Sequence, residues 1–350
     1  CQSSRSFHST AKSALASAMS SQMGSAFESG DVGVVSQVIG AVTASLNAAS
    51  CTGAPSCSAL NRKNCKSTTD TCSACLPVFV GTAGDANDRC VNPNDASLLK
   101  LGNSCQDDSD CVSGLCEETS AGGSKVCQAK LKTCLLGANG EECGGAADGT
   151  CQYVKSNGEV TSTCREGTAT CSAQCVCTGT KKGGACEFSR SDYFALTQMR
   201  EDMCISLYDT LAIQDISADV MASRATSIGE ILLNVDDVSD YGFETCAKAL
   251  AESVISAVNV NGAFVAGDAD ISTIISDSLS AVLAKGNSIS SDLLNVVMEA
   301  SAAQSEAIQA LMAVGEDAAC TPTSNLNVCL SKSYGSDVAS QKYAPAQSDL

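Results

Sequence analysis

Eighteen of the 23 cysteines in this 350-residue chain fall between residues 51 and 186. In the same stretch only about one residue in seven is a large hydrophobe, too few to offset the chain entropy lost on folding by apolar burial alone. Cross-links must supply the deficit. Dense cysteine means metal in a reducing compartment and disulfides in an oxidising one. Zinc sites favour paired CxxC knuckles, often with His. Here the sole His is His8, far from the cluster, and the sole CxxC is Cys72–Cys75. The cysteines are therefore expected to be disulfides, and the chain to be secreted or on a cell surface.

A net charge of −18 argues against nucleic acid, whose phosphates need clustered Lys and Arg. No segment has the 18 or so apolar residues of a membrane span, so no membrane insertion is expected. There is no charged-then-apolar leader and no initiator Met, so the sequence reads as a mature or excised piece.

The flanks differ from the cysteine-rich middle. Residues 1–50 are rich in Ala and Ser and read as a helical hairpin. Leu15, Met19, Met23 and Phe27 form one stripe; after Gly30, Asp31 can cap a second helix with Val34, Val38, Val42 and Leu46. Residues 187–319 read as a bundle of about five helices. The stripes are Leu196/Met199/Met203/Leu207/Leu211, Val220/Ile228/Ile231/Leu232, Phe243/Cys246/Leu250/Val254, Ile271/Ile275/Leu279/Leu283, and Leu294/Val297/Met298/Ile308/Leu311/Met312. Residues 320–350 read as a short disulfide loop and a polar tail.

The two flanks also echo one another. "SAFESGDVGVVSQVIGAVTASL" at 25–46 aligns without gaps on "GAFVAGDADISTIISDSLSAVL" at 262–283. If this is a repeat, the N-terminal hairpin is the end of a preceding helical module. The chain would then alternate helical and cysteine-rich modules.

Within the middle, spacing suggests a six-cysteine module at 51–90, a four-cysteine module at 91–127 and one or two modules with eight cysteines at 128–186. Six cysteines allow fifteen pairings, so spacing alone leaves connectivity open. The closely spaced Cys72 and Cys75, followed by "LPVFVGTAGDANDRC", resemble the C-terminal half of an EGF-like module. The usual single residue between the fourth and fifth Cys is here two. The resemblance implies Cys51–Cys65, Cys57–Cys72 and Cys75–Cys90. "CQDDSDCVSGLC" with Cys127 resembles four-cysteine units of extracellular proteins, which implies Cys105–Cys116 and Cys111–Cys127. The pairing from Cys134 to Cys186 is left open. Cys204 with Cys246 could join two helices, and Cys320 with Cys329 could close the tail. Cys1 is then left over for an intermolecular partner.

Catalytic chemistry finds little material. A thioredoxin-like Cys72–Cys75 would need a βαβ setting, which is missing. A Ser or Cys nucleophile needs a base, and His8 lies alone in a Ser-rich stretch. No GxSxG, HExxH or phosphate-binding loop occurs, so no enzyme is expected. Calcium is the one cofactor to weigh, with Asp107, Asp108 and Asp110 as candidate ligands. Their spacing departs from the EF-hand loop, and they read first as turn residues. Asp268 reads as a helix cap.

The string "LNRKNC…TDTCSACLPVFVGTAGDANDRC" resembles large surface proteins of protists and algae. In these, EGF-like units lie next to Ala/Ser-rich helical regions of the receptor-for-egg-jelly and polycystin-like type; mastigoneme proteins of flagellar hairs also carry EGF-like units. The resemblance covers residues 51–127 well and 187–319 loosely. It implies an extracellular structural role, with copies of the chain or similar proteins as partners in a filament or coat. The alternative is an adhesion-receptor ectodomain that binds a protein or glycan. Self-cleavage of the kind found in some relatives is not expected, since Trp and His-Leu-Thr are missing.

Overall fold

The computed structural model describes residues 32–47 and 51–333, apart from 52, 67, 69, 78, 83–84, 93–96, 120–121, 138, 156, 167, 169, 216, 262–266, 317 and 324; residues 21–22 and 24–25 are also described. Those four residues of the expected hairpin's first helix are helical; its Leu15/Met19/Met23/Phe27 stripe, Asp31, His8 and Cys1 lie outside the described residues.

The chain is α-helical plus small and disulfide-rich, and divides into two compact units. One takes the residues up to Leu46 together with Ser191–Pro345; the other spans Asn47–Arg190.

The helical unit contains α1 (Val32–Asn47), α2 (Arg190–Asp209), α3 (Ala218–Ile231), α4 (Asp240–Asn261), α5 (Ala269–Leu283) and α6 (Ser291–Leu311). Short polar side chains start these helices by satisfying free N–H groups. Ser217 accepts from the Val220 amide, Ser239 from Gly242, Asp268 from Asp270 and Ile271, and Ser290 from Leu293. Gly286, with φ at +58°, takes a left-handed conformation just past α5 that a side chain would resist.

α4 packs against α3, α5 and α6, while α3 also packs on α5. Its inner face is made mostly of small residues: Ala247, Ala249, Ala251 and Ala257 are fully buried beside Leu250 and Val254. Small side chains let neighbouring helices come close, and Gly242 marks the limit: a Cβ there would sit 2.9 Å from the Glu201 Cα of α2. Cys204–Cys246 ties α2 to α4.

Two inner faces differ from the hydrophobic stripes. On α1 the buried set is Val35, Val38, Ile39 and Val42, while Val34 is exposed and Leu46 half-buried. On α6, Leu294 and Met298 are 39% and 52% exposed, and the buried face is Leu293, Val297, Ala300, Ser301, Gln304 and Ala307. Gln304 is accommodated because its amide donates to the Ser272 carbonyl and Ser276 hydroxyl of α5.

α1 shares one hydrophobic core with α2–α6. It does not stand apart as a separate end-piece. In the aligned echo, Val35, Val38, Ile39, Val42 and Thr43 match Ser272, Ile275, Ser276, Leu279 and Ser280, and all ten are buried. The hairpin of β8 (Ala319–Pro322) and β9 (Asn327–Leu330) opposes Cys320 to Cys329, and Cys329 is disulfide-bonded. At the hairpin's turn, Asn325 hydrogen-bonds to Ser280 of α5.

The cysteine-rich unit has little regular structure, as its composition suggests, and what there is consists mostly of short strands. A ribbon of β1 (Cys116–Glu118) and β2 (Lys125–Cys127) precedes a three-stranded antiparallel sheet. In that sheet β3 (Gly149–Lys155) lies between β4 (Val160–Thr161) and β5 (Cys171–Cys177). A last ribbon pairs β6 (Lys181–Lys182) with β7 (Phe188–Ser189).

Candidate functional site

Alternate residues of a strand share one face. In β5 that face carries Cys171, Ala173, Cys175 and Cys177, while Ser172, Gln174 and Val176 are exposed. The Cys-x-Cys spacing thus aims two sulfurs at one side of the sheet. There they meet Cys143 and Cys186, and Cys151 of β3 meets Cys134: the pairs are Cys134–Cys151, Cys143–Cys175, Cys164–Cys171 and Cys177–Cys186. Cystine sulfur takes the place of a hydrophobic layer, with Cys134, Cys143 and Cys186 buried at its centre. The layer is tight. A Cβ on Gly149 would lie 2.7 Å from the Cys186 Sγ and 2.9 Å from the Cys143 carbonyl oxygen.

Nearer the N-terminus the bonds are Cys51–Cys65, Cys57–Cys72, Cys75–Cys90, Cys105–Cys116 and Cys111–Cys127. Cys72 and Cys75 therefore belong to different disulfides. Cys116 and Cys127 face each other across β1 and β2, yet each bonds a sulfur outside the ribbon.

A charged hub sits inside the first of these loops. Arg62 is buried, and its guanidinium donates to the carbonyls of Ser73, Thr82 and Asp88 and to Asp88 Oδ1, at 2.6–3.3 Å. Thr82 and Lys130 donate to the other oxygen, Oδ2, at 2.8 and 3.2 Å. Burial pushes the Asp88 carboxyl up. The Thr82 hydroxyl, the Lys130 ammonium and the Arg62 guanidinium outweigh it and hold Asp88 below its ordinary value. Lys130 lies beyond the four-cysteine segment, so Asp88 fastens three segments at once.

The same use of cations recurs. Arg165 donates to the Ala129 carbonyl and to Glu117 Oε2 at 2.5 and 2.8 Å. Lys132 donates to the carbonyls of Thr168 and Cys171 at 2.8 and 2.9 Å. In the helical unit, buried Arg224 reaches Ser253, Thr210 and Gln214, and burial lowers its pKa to about 10. Arg200 donates to the Ile231 carbonyl. A fork of N–H donors suits loop and helix-end carbonyls that no secondary structure pairs. Sequence reading missed these residues, because a lone Arg or Lys, in a polar loop or on a helix, looks like solvated surface.

The candidate calcium ligands are occupied in turn geometry. Asp110 Oδ2 accepts from the amides of Gln106 and Asp107, which holds its carboxyl below the ordinary value. Asp108 Oδ1 accepts from the Cys116 amide at 2.7 Å. Cys105, Cys111 and Cys116 come within metal-ligand distance of one another, as do Cys134, Cys143 and Cys175, but all six are half-cystines. Asp268 caps α5. A recess of about 500 Å³ on the helical unit is lined by Gly229 and Glu230 of α3, Asp277, Ser278 and Ala281 of α5, and Asn325. Leu232, Leu233 and Ile274 also line it, so apolar side chains lie beside the small and polar ones. Among the described residues, no helix is long and apolar enough to cross a membrane.

The disulfide density marks a protein of an oxidising, extracellular kind. No protein-family model, curated protein or solved structure matches the chain.

Proposed function

We propose that this chain is an extracellular structural protein without catalytic activity. The cysteine-rich unit serves as a stiff spacer, and the helical unit joins copies or similar proteins into a surface filament, coat or flagellar hair. One observation carries the reading. All eighteen cysteines from Cys51 to Cys186 close among themselves in nine disulfides. With Arg62, Lys132 and Arg165 they form a cross-linked frame whose reactive groups are consumed in holding shape. The resemblance to EGF-like surface proteins with egg-jelly-receptor, polycystin-like or mastigoneme features supports the same role.

Light scattering of the non-reduced chain over a range of concentrations tests it. Self-association is expected; a monomer at every concentration counts against the polymer. The second reading is an adhesion-receptor ectodomain. Phe194 and Tyr241 favour it, standing 70% and 62% exposed on the helical unit where aromatic anchors for a partner would be useful. Loss of binding to a protein or glycan surface in F194A/Y241A, with unchanged self-association, would move the assignment to that reading.

A further inference from the structure

α1 is set apart from the other helices of its bundle in a specific way. It contributes Val35, Val38, Ile39 and Val42 to the common core, yet among the described residues no disulfide reaches it. Residues 32–47 contain no cysteine. The chain from α1 to α2 runs through the whole of Asn47–Arg190, and the cysteines there bond only to one another. Cys204–Cys246 joins α2 to α4 and leaves α1 untouched, as it does α3, α5 and α6, but those helices follow one another over short connections. A lone helix of this length is marginal in water, so α1 is helical because it is seated. In the echo its five buried positions all fall on buried positions of α5, whose buried face is wider and also takes in Ile271, Ser278 and Val282, so α1 follows the pattern of this bundle's own helices with a narrower seat.

We propose that the seat of α1 is an assembly site, and that its occupant in an assembled state is α1 of a second copy of this chain. The contacts made in trans are those already made in cis, so exchange needs no new surface complementarity. The balance between the two is set by effective concentration: crowded copies on a surface favour the trans seat, and dilution favours the cis one. A copy that gives α1 to its neighbour and receives one from the other side links chains head to tail, with the cysteine-rich unit as the spacer between bundles. This proposal rests on the structural-assembly reading and names its contact.

The test uses the full chain. A version with a photo-cross-linking benzoylphenylalanine at Leu46, half-buried against the core, is co-expressed with an unmodified version carrying a different tag. After irradiation at high protein concentration, the expected product has twice the chain mass under reducing conditions and carries both tags. Peptide mapping should join position 46 of one chain to residues 191–311 of the other, and dilution before irradiation should return the cross-link to single chains. A second version with the cross-linker at Ser45, exposed beside it, guards against disturbance of the core. Cross-links confined to single chains at every concentration overturn the proposal. If light scattering then still shows oligomers, the copies meet elsewhere and the structural reading stands. If it shows only monomer, both fall.

Discussion

In the helical unit, Leu, Ile, Val and Ala side chains fill a core in which Met203, Leu250, Ile275 and Leu279 are fully buried. In the cysteine-rich unit the buried positions are mostly half-cystines: Cys72, Cys90, Cys143, Cys164 and Cys186 are all but inaccessible, and the largest buried side chain is Arg62. The first unit is stable because burying its apolar surface is favourable. The second is stable because its unfolded chain is constrained, each native bridge in such a module contributing about 2–4 kcal/mol, non-additively. One chain thus combines a unit that responds to packing and a unit that responds to redox state.

Reduction should separate them most sharply. With a strong thiol reductant the cysteine-rich unit is expected to unfold completely, while the helical unit keeps most of its ellipticity at 222 nm and loses only the contribution of the Cys204–Cys246 bridge. Hydrogen exchange can resolve the two. Protection of the β3 and β5 amides that survives reduction would break the contrast. Leu250→Ala should do the converse. It removes a fully buried side chain from α4 and is expected to destabilise the helical unit by about 2–5 kcal/mol. Exchange across residues 51–186 should stay as it was. Gly149→Ala tests how tightly the sulfur layer is packed. The new methyl group meets the Cys143 carbonyl and the Cys186 sulfur, and overpacking of this kind costs about 1–3 kcal/mol. Faster reduction of Cys177–Cys186 than in the parent is the readout; an unchanged rate would mean that the layer yields.

How far the sequence discloses these arrangements depends on whether the signal is local. Leu196, Met199, Met203 and Leu207 recur at helical spacing, and that periodicity identifies the buried face of α2 directly. α6 misleads, because beyond Leu293 and Val297 its inner face is small and polar, while its outer face holds Leu294 and Met298. Only the arrival of the Ser272 carbonyl and the Ser276 hydroxyl makes Gln304 an inside residue, and no window along α6 contains them. The buried charge network is invisible for the same reason: Arg62 finds its carbonyls and carboxylate 11 to 26 residues away. Cys175 and Cys177 lie between these cases. Their spacing carried a usable signal, since residues two apart in a strand share a face, but choosing Cys143 and Cys186 as partners required the sheet. A pair of substitutions tests the face assigned to α6. Val297→Ala, fully inside, should cost about 2 kcal/mol from the side-chain burial scale. Leu294→Ala should stay within about 0.5 kcal/mol, as surface changes do. Equal losses in thermal melts would mean that the helix is rotated.

The smallest expected effect separates the units by acid response at one residue. Asp88 has its folded-state pKa held below the ordinary value of 3.8 by Thr82, Lys130 and Arg62, against the upward push of burial. A lowered folded value means that the unfolded chain binds the proton more readily, so stability rises with pH across that window. The contribution is fully present above the ordinary carboxylate value and is lost as pH falls through the folded one. Disulfides still close the loops at that pH, so the consequence is local opening. Protonated Asp88 releases Lys130, and the amides of Cys90 and Val91, which bond to the Leu60 and Val80 carbonyls, should lose protection relative to their intrinsic exchange rates as pH falls below the ordinary carboxylate value of 3.8. Asp88→Asn removes the titrating group and should give these amides a flat response over the same range, with core amides of α4 following the parent. An identical acid profile in the parent and Asp88→Asn would place the opening in another carboxylate, and the hub would then be a packing contact whose charge is incidental.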